Sequence, residues 1–183
     1  FEIAEVGLDR LVTTRTAAVT TPSGMAAAHV TKTIELGGDR RRPTLALTVA
    51  IHNRSEIAIL TRVGVEWTLM LLGGGANPAA WWDVDGIRGP HDAPGSAMGV
   101  TNLAQGNDSV GIAVETSVSE PATAWWAPVE TVSNSEGGFE RVYQGAGLLL
   151  SWPLVLAPDD TWAVTVTQAV PTDRDLADEA ATS

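Results

Sequence analysis

The segment TLALTVAIHN, from Thr44 to Asn53, places Leu45, Leu47, Val49 and Ile51 on one side and Thr44, Thr48 and His52 on the other. Successive side chains of a strand point to opposite faces, so this period of two describes a strand with one buried and one wet face. The same rhythm returns along the chain. No stretch of ten or more residues carries a capped 3.6-residue period, apart from the C-terminal DRDLADEAATS. Many short strands punctuated by glycine and proline predict an all-β fold, a large antiparallel β-sandwich.

After the polar turn NRSE, the run ILTRVGVEWTLMLL aligns Val63, Val65, Trp67, Leu69 and Leu71, and with the preceding strand it suggests an antiparallel pair. SVGIAVETSV groups Val110, Ile112 and Val114, and TWAVTVTQAV groups Trp162, Val164 and Val166. HVTKTIEL and the β-branched LVTTRTAAV read as further strands. In GLLLSWPLVLAPDD, Pro153 argues against an uninterrupted central strand and predicts two short strands or a bend at Trp152 and Pro153. The glycine- and proline-rich stretch from Gly73 to Gly99 reads as one long loop. Residues 1–171 are expected to form a single domain, followed by an acidic, disordered tail over 172–183.

Composition removes whole classes of function. Without cysteine there is no disulfide framework, thiolate metal site or thiol nucleophile. A net charge of −11 with a single lysine, Lys32, repels polyanions, so nucleic acid is not an expected partner. No apolar run approaches the roughly 20 residues of a membrane-spanning helix, and FEIAEVGLDR lacks the basic start and apolar core of a signal peptide. The expectation is a soluble, cytoplasmic domain with no membrane partner. A start at Phe1 rather than methionine suggests a piece of something longer.

Four chemistries can be tested on residue type. Only His29, His52 and His91 could serve as a base, and no Gly-x-Ser-x-Gly elbow supplies a nucleophile. Paired carboxylates would suit glycoside hydrolysis, but nothing in the spacing of Glu66, Glu115, Glu130, Glu136 and Glu140 selects a pair across a groove. The turn DVDGIRGPHD collects Asp83, Asp85, His91 and Asp92, a partial match to calcium chemistry; Asp83 and Asp85 are the candidate ligands. Gly137-Gly138 reads as a tight turn, and neither a helix nor a lysine follows to make a phosphate cradle.

Tryptophan offers the better physical case, because an indole face is a flat apolar platform for the C–H face of a pyranose. Neighbours on a strand point oppositely, so in Trp81-Trp82 and in Trp125-Trp126 at most one ring of each pair is expected in the core. The candidate sugar-binding set is therefore Trp81, Trp82, Trp125 and Trp126, with Glu66, Glu130 and Gln144 as hydrogen-bonding groups.

Two stretches carry a family resemblance. VGVEWTLMLLGGGANPAAWW, Val63 to Trp82, and WWAPVETVSNSEGGFERVYQGAGLLLSWPLVLAPDDTW, Trp125 to Trp162, are similar to the C-terminal β-sandwich domain of glycoside hydrolase family 57 enzymes of the α-amylase and 4-α-glucanotransferase type. HVTKTIEL and LALTVAIHN fit the preceding strands, and PVETVSNSEGGFERVYQG is the most specific part. The resemblance implies a galactose-mutarotase-like sandwich. It places the catalytic pair in an N-terminal barrel without counterpart here, so no catalytic residue transfers to this sequence. The expected role is that of a non-catalytic accessory domain packed on a catalytic barrel, with α-glucan as a possible contact. The alternatives are an independent carbohydrate-binding module and a mutarotase or epimerase acting through His52 and Glu66.

Overall fold

The computed structural model describes residues 1–135 and 138–171; the expected acidic tail over 172–183, Glu136, and Gly137 of the expected Gly137-Gly138 turn lie outside the described residues. The strands are β1 Glu2–Val6, β2 Arg10–Thr21, β3 Gly24–Gly38, β4 Pro43–Asn53, β5 Ile59–Leu69, β6 Ala80–Val84, β7 Ile87–Pro90, β8 Gly95–Asn107, β9 Ile112–Ser135, β10 Gly138–Leu156 and β11 Thr161–Ala169. They form one antiparallel network in the order β1-β2-β3-β4-β11-β9-β8-β6-β7, with β10 joined to β9 and β5 joined to β10.

That network doubles back on itself because two long strands serve both layers. The first part of β9, Glu115 to Val118, pairs with β11. Its later part, from Thr123 onward, pairs with β10. Strand β8 follows the same bend through register shifts between Ala97 and Asn102, the extra residues of a bulge being what turns a strand out of its sheet. Val164 and Val166 on β11 and Leu148 and Leu150 on β10 then share one core cluster although their strands never pair. This sharing defines the two layers of a sandwich and confirms the fold class read from the alternation.

The expected hydrophobic faces hold best in the middle strands. Val49 and Ile51 point inward on β4 and Val164 and Val166 on β11, while β10, whose Leu148-Leu149-Leu150 run shows no alternation, also turns Ala146, Leu148, Leu150, Trp152, Leu154 and Leu156 inward at every second position. Three expectations are corrected. The β4 and β5 strands do not pair: β4 is flanked by β3 and β11, and β5 crosses to the other layer. At the crossover the buried Asn53 side chain donates to the carbonyls of Ile57, Leu156 and Ala157 and accepts from Ser55, so the chain leaves one sheet at a satisfied polar clamp.

Second, β10 runs through Pro153 without a break, because past Ser151 it pairs with β5 alone. A strand with one open edge tolerates a residue that lacks an N–H. Third, the stretch from Gly73 to Gly99 is not one loop but contains the β6–β7 hairpin and the start of β8. Asp85 and Gly86 both adopt positive φ at its tip, the two-residue turn that matches strand twist. Of the Val110 group, only Val114 is buried; Val110 sits in a turn closed by Asn107.

Candidate functional site

The outer face of the second layer is built from four adjacent strands. One rung across it reads Ser96, Trp125, Leu149, Glu66, and the next reads Ala127, Gly147, Thr68. Alternation along β9 turns Trp125 outward, 57% exposed, and Trp126 inward, its ring 6.0 Å from that of Trp82. The second rung is low because Ala127 and Gly147 stand where larger residues would fill the surface. The result is a groove of ≈ 580 Å³ bordered by Trp125, Trp126, Gly95, Gly147, Val129 and Glu66. At its floor a Gly147 side chain would reach toward the Glu66 carboxylate, and at its edge one at Gly95 would run into the Trp126 ring. Among the described residues Glu66 has no ion-pair partner.

The other predicted residues lie elsewhere. Trp82 is 2% exposed, stacks on His91 at 5.0 Å and donates its indole N–H to the His91 carbonyl. Trp81 is 9% exposed, donates to Asp108 and carries the Arg88 guanidinium 3.9 Å above its ring. Both rings are covered, so the expectation that one of this pair stays open gives way: Arg88 and Gly106 close over the outward ring. Glu130 is paired with Arg141 at 2.6 Å. Gln144 occupies the bulge between Tyr143 and Gly145 and donates to Thr131.

Asp83 and Asp85 line a separate groove of ≈ 420 Å³ on the outer face of the first layer, with Arg42 and Glu115. Asp83 accepts the Gly86 N–H and faces Arg88 at 3.6 Å, while Glu115 is ion-paired to Arg42. Among the described residues no three His, Asp or Glu side chains cluster to hold a metal ion. His52 bonds Asp159 at 2.9 Å on β4 of the first layer. Glu66 stands on the outer face of the second, so the two do not form an acid–base pair.

One constellation escapes the sequence altogether. The buried His91 ring lies between the Tyr143 hydroxyl, 2.8 Å from Nδ1, and the Gln105 Oε1, 2.9 Å from Nε2. With the amide oxygen on Nε2, that nitrogen carries the proton and Nδ1 accepts from Tyr143. Burial lowers the basicity of His91, against the opposing pull of Gln105 and Asp92, and burial with the nearby Asp92 charge pushes Tyr143 up to about 12. Gly73 and Gly74 make room, since a side chain on either would strike His91 or Tyr143. No local pattern links residues 52 positions apart. The unit reads as a buried polar keystone, its ring nitrogens both engaged by Tyr143 and Gln105.

No helix among the described residues is long and apolar enough to cross a membrane. Comparison with known proteins gives a consistent family. The description "Alpha-amylase/4-alpha-glucanotransferase, C-terminal" matches residues 4–166. Alpha-amylase 1 of Dictyoglomus thermophilum is 32% identical over 118 residues, 63% of this chain but 16% of the relative. The crystal structure of 4-alpha-glucanotransferase from Thermococcus litoralis aligns with 93% of this chain and 22% of its own, at TM-score 0.63 and 20% identity. A galactose mutarotase related enzyme from Lactobacillus acidophilus aligns over 94% of this chain and 71% of its own, at TM-score 0.60 and 9% identity. The fold is thus galactose-mutarotase-like, and the chain spans about a sixth of the curated relative's length. The match over 4–166 settles its place: the chain belongs to the alpha-amylase/4-alpha-glucanotransferase C-terminal domain family.

Proposed function

We propose that this chain is a non-catalytic accessory β-sandwich of an α-glucan-processing enzyme, packing on a catalytic barrel carried elsewhere in the parent protein. The observation that carries the reading is the dispersal of its acid and base candidates. Among the described residues Glu66 is the one ionisable residue lining its groove, Glu130 is committed to Arg141, and His52 faces Asp159 on the first layer. Asp83 and Glu115 do share a groove, but each is committed to an arginine, Asp83 to Arg88 and Glu115 to Arg42. Membership of the alpha-amylase/4-alpha-glucanotransferase C-terminal domain family supports α-glucan as the substrate class of the parent enzyme.

The test is an assay of the purified chain on α-1,4-glucan for hydrolysis and transfer, and on free aldoses for anomerisation. The expected result is no turnover in either. Hydrolysis or transfer would overturn the accessory reading in favour of an independent glycosidase. Faster anomerisation would do so in favour of a mutarotase, and the variant His52→Ala would show whether His52 takes part.

A further inference from the structure

We infer that the groove at Trp125 is a binding site for a neutral pyranose oligosaccharide, with the Trp125 indole as the stacking platform and the Glu66 carboxylate as a hydroxyl acceptor. Three features select this chemistry. A tryptophan ring is left more than half exposed on the outer face of a well-packed sheet, where burying that ring would be the ordinary outcome. The surface beside it is lowered by Ala127 and Gly147, while Leu149 and Val129 add apolar lining to the same groove. A carboxylate without an ion-pair partner among the described residues borders the same floor, two strands away.

The dimensions agree. Two inter-strand spacings put Trp125 and Glu66 about 9–10 Å apart across β10. That separation suits a ligand that covers the indole with one ring and presents hydroxyls to Glu66 from the next. The ≈ 580 Å³ volume falls in the range of small-ligand sites, about 300–1,000 Å³. The single ionisable group of the groove is an acceptor, and the chain carries a net charge of −11, which together disfavour an anionic ligand. A polyhydroxylated neutral molecule with an apolar C–H face fits both halves of the site.

The site deepens the α-glucan reading and rests on it for the choice of probe alone. Maltotriose is titrated into the chain, following the Trp125 indole N–H resonance, assigned by its disappearance in Trp125→Phe, with cellotriose and glycerol run in parallel. The expected result is a saturable shift with a Kd in the millimolar range for maltotriose and none for glycerol. Trp125→Ala should weaken binding by about ten-fold or more, the effect of losing roughly 1.4 kcal/mol, with thermal stability unchanged because the ring is exposed. Glu66→Gln should weaken it less. Gly147→Val, which raises the floor, should reduce binding as Trp125→Ala does; Phe139→Ser, where β10 pairs with β9 beyond the reach of β5, should leave it intact. A stationary Trp125 resonance at millimolar maltotriose, or undiminished binding in both Trp125→Ala and Gly147→Val, would overturn the inference. Because these are binding readouts, that failure leaves the non-catalytic reading untouched, and turnover by the chain would sink that reading without bearing on the groove. Equal affinity for cellotriose would support the site and remove its preference for α-linked chains.

Discussion

Asn53 governs how the chain passes from one layer to the other, and its removal should be felt by the whole domain. Its fully buried amide makes five hydrogen bonds: to the carbonyls of Ile57, Leu156 and Ala157 at 2.9, 3.1 and 3.0 Å, and from the Ser55 N–H and hydroxyl at 3.1 and 2.6 Å. Asn53→Ala deprives the Leu156 carbonyl of its side-chain donor in a buried site, worth about 1–3 kcal/mol. The partly buried bonds to Ile57 and Ala157 add about 1 kcal/mol together, while Ser55 can turn to water. The sum is roughly 3 kcal/mol out of a total stability of about 5–15 kcal/mol. For a chain of this size each kcal/mol moves the melting temperature by about 2–4 °C, so calorimetry should show a fall of about 6–12 °C.

The near-isosteric Asn53→Asp sharpens the test. It keeps the acceptor for Ser55 but aims a charged oxygen at three carbonyl oxygens, so at neutral pH it should destabilise more than alanine does. Protonation of the introduced carboxylate restores one donor and should narrow that difference in acid. A melting temperature lowered by less than about 2 °C in Asn53→Ala, or an aspartate variant as stable as the alanine one, would refute the clamp as the origin of the crossover's stability.

Further outcomes follow from the same structure. His91 binds protons more weakly folded than unfolded, so its contribution to stability is complete above its ordinary pKa of 6.5 and is lost as pH falls below it. Urea midpoints should drop in that window in the wild type and change less with pH in His91→Gln. Tyr143, raised to about 12, has the opposite sign: its contribution is complete below about 10 and is lost as pH rises from 10 toward 12, which Tyr143→Phe should abolish in the same titration. Gly106→Ala would press its methyl group into the Trp81 ring and the Ile112 carbonyl, and should cost about 1–3 kcal/mol by urea denaturation. Phe139→Ser, at a residue 83% exposed where β10 pairs with β9 beyond the reach of β5, should change stability in the same assay by no more than about 0.5 kcal/mol.

What the chain determined by itself is its class and its inward faces. The alternation of Val49 and Ile51 and of Val164 and Val166 is local, since a strand sorts its own side chains in and out whatever it pairs with. The family stretches, too, are local strings. The Asp85-Gly86 hairpin turn, by contrast, was hidden inside a stretch that reads as one long loop, because positive φ at both positions is a property of the folded backbone. What only the tertiary structure decided is adjacency. Whether β4 lies beside β5, whether Pro153 falls where one edge is open, and whether His91 meets Tyr143 depend on which strands become neighbours, a property of loop paths and of the bend shared by β8 and β9. The same holds for the site. Sequence alternation predicted one outward ring in each tryptophan pair, but Trp125 stands open while Trp81 lies under Arg88, because Ala127 and Gly147 flank the first and Gly106 receives the second. Exposure of a side chain is set by its cross-strand neighbours, and the order of strands is the information that a period of two does not contain.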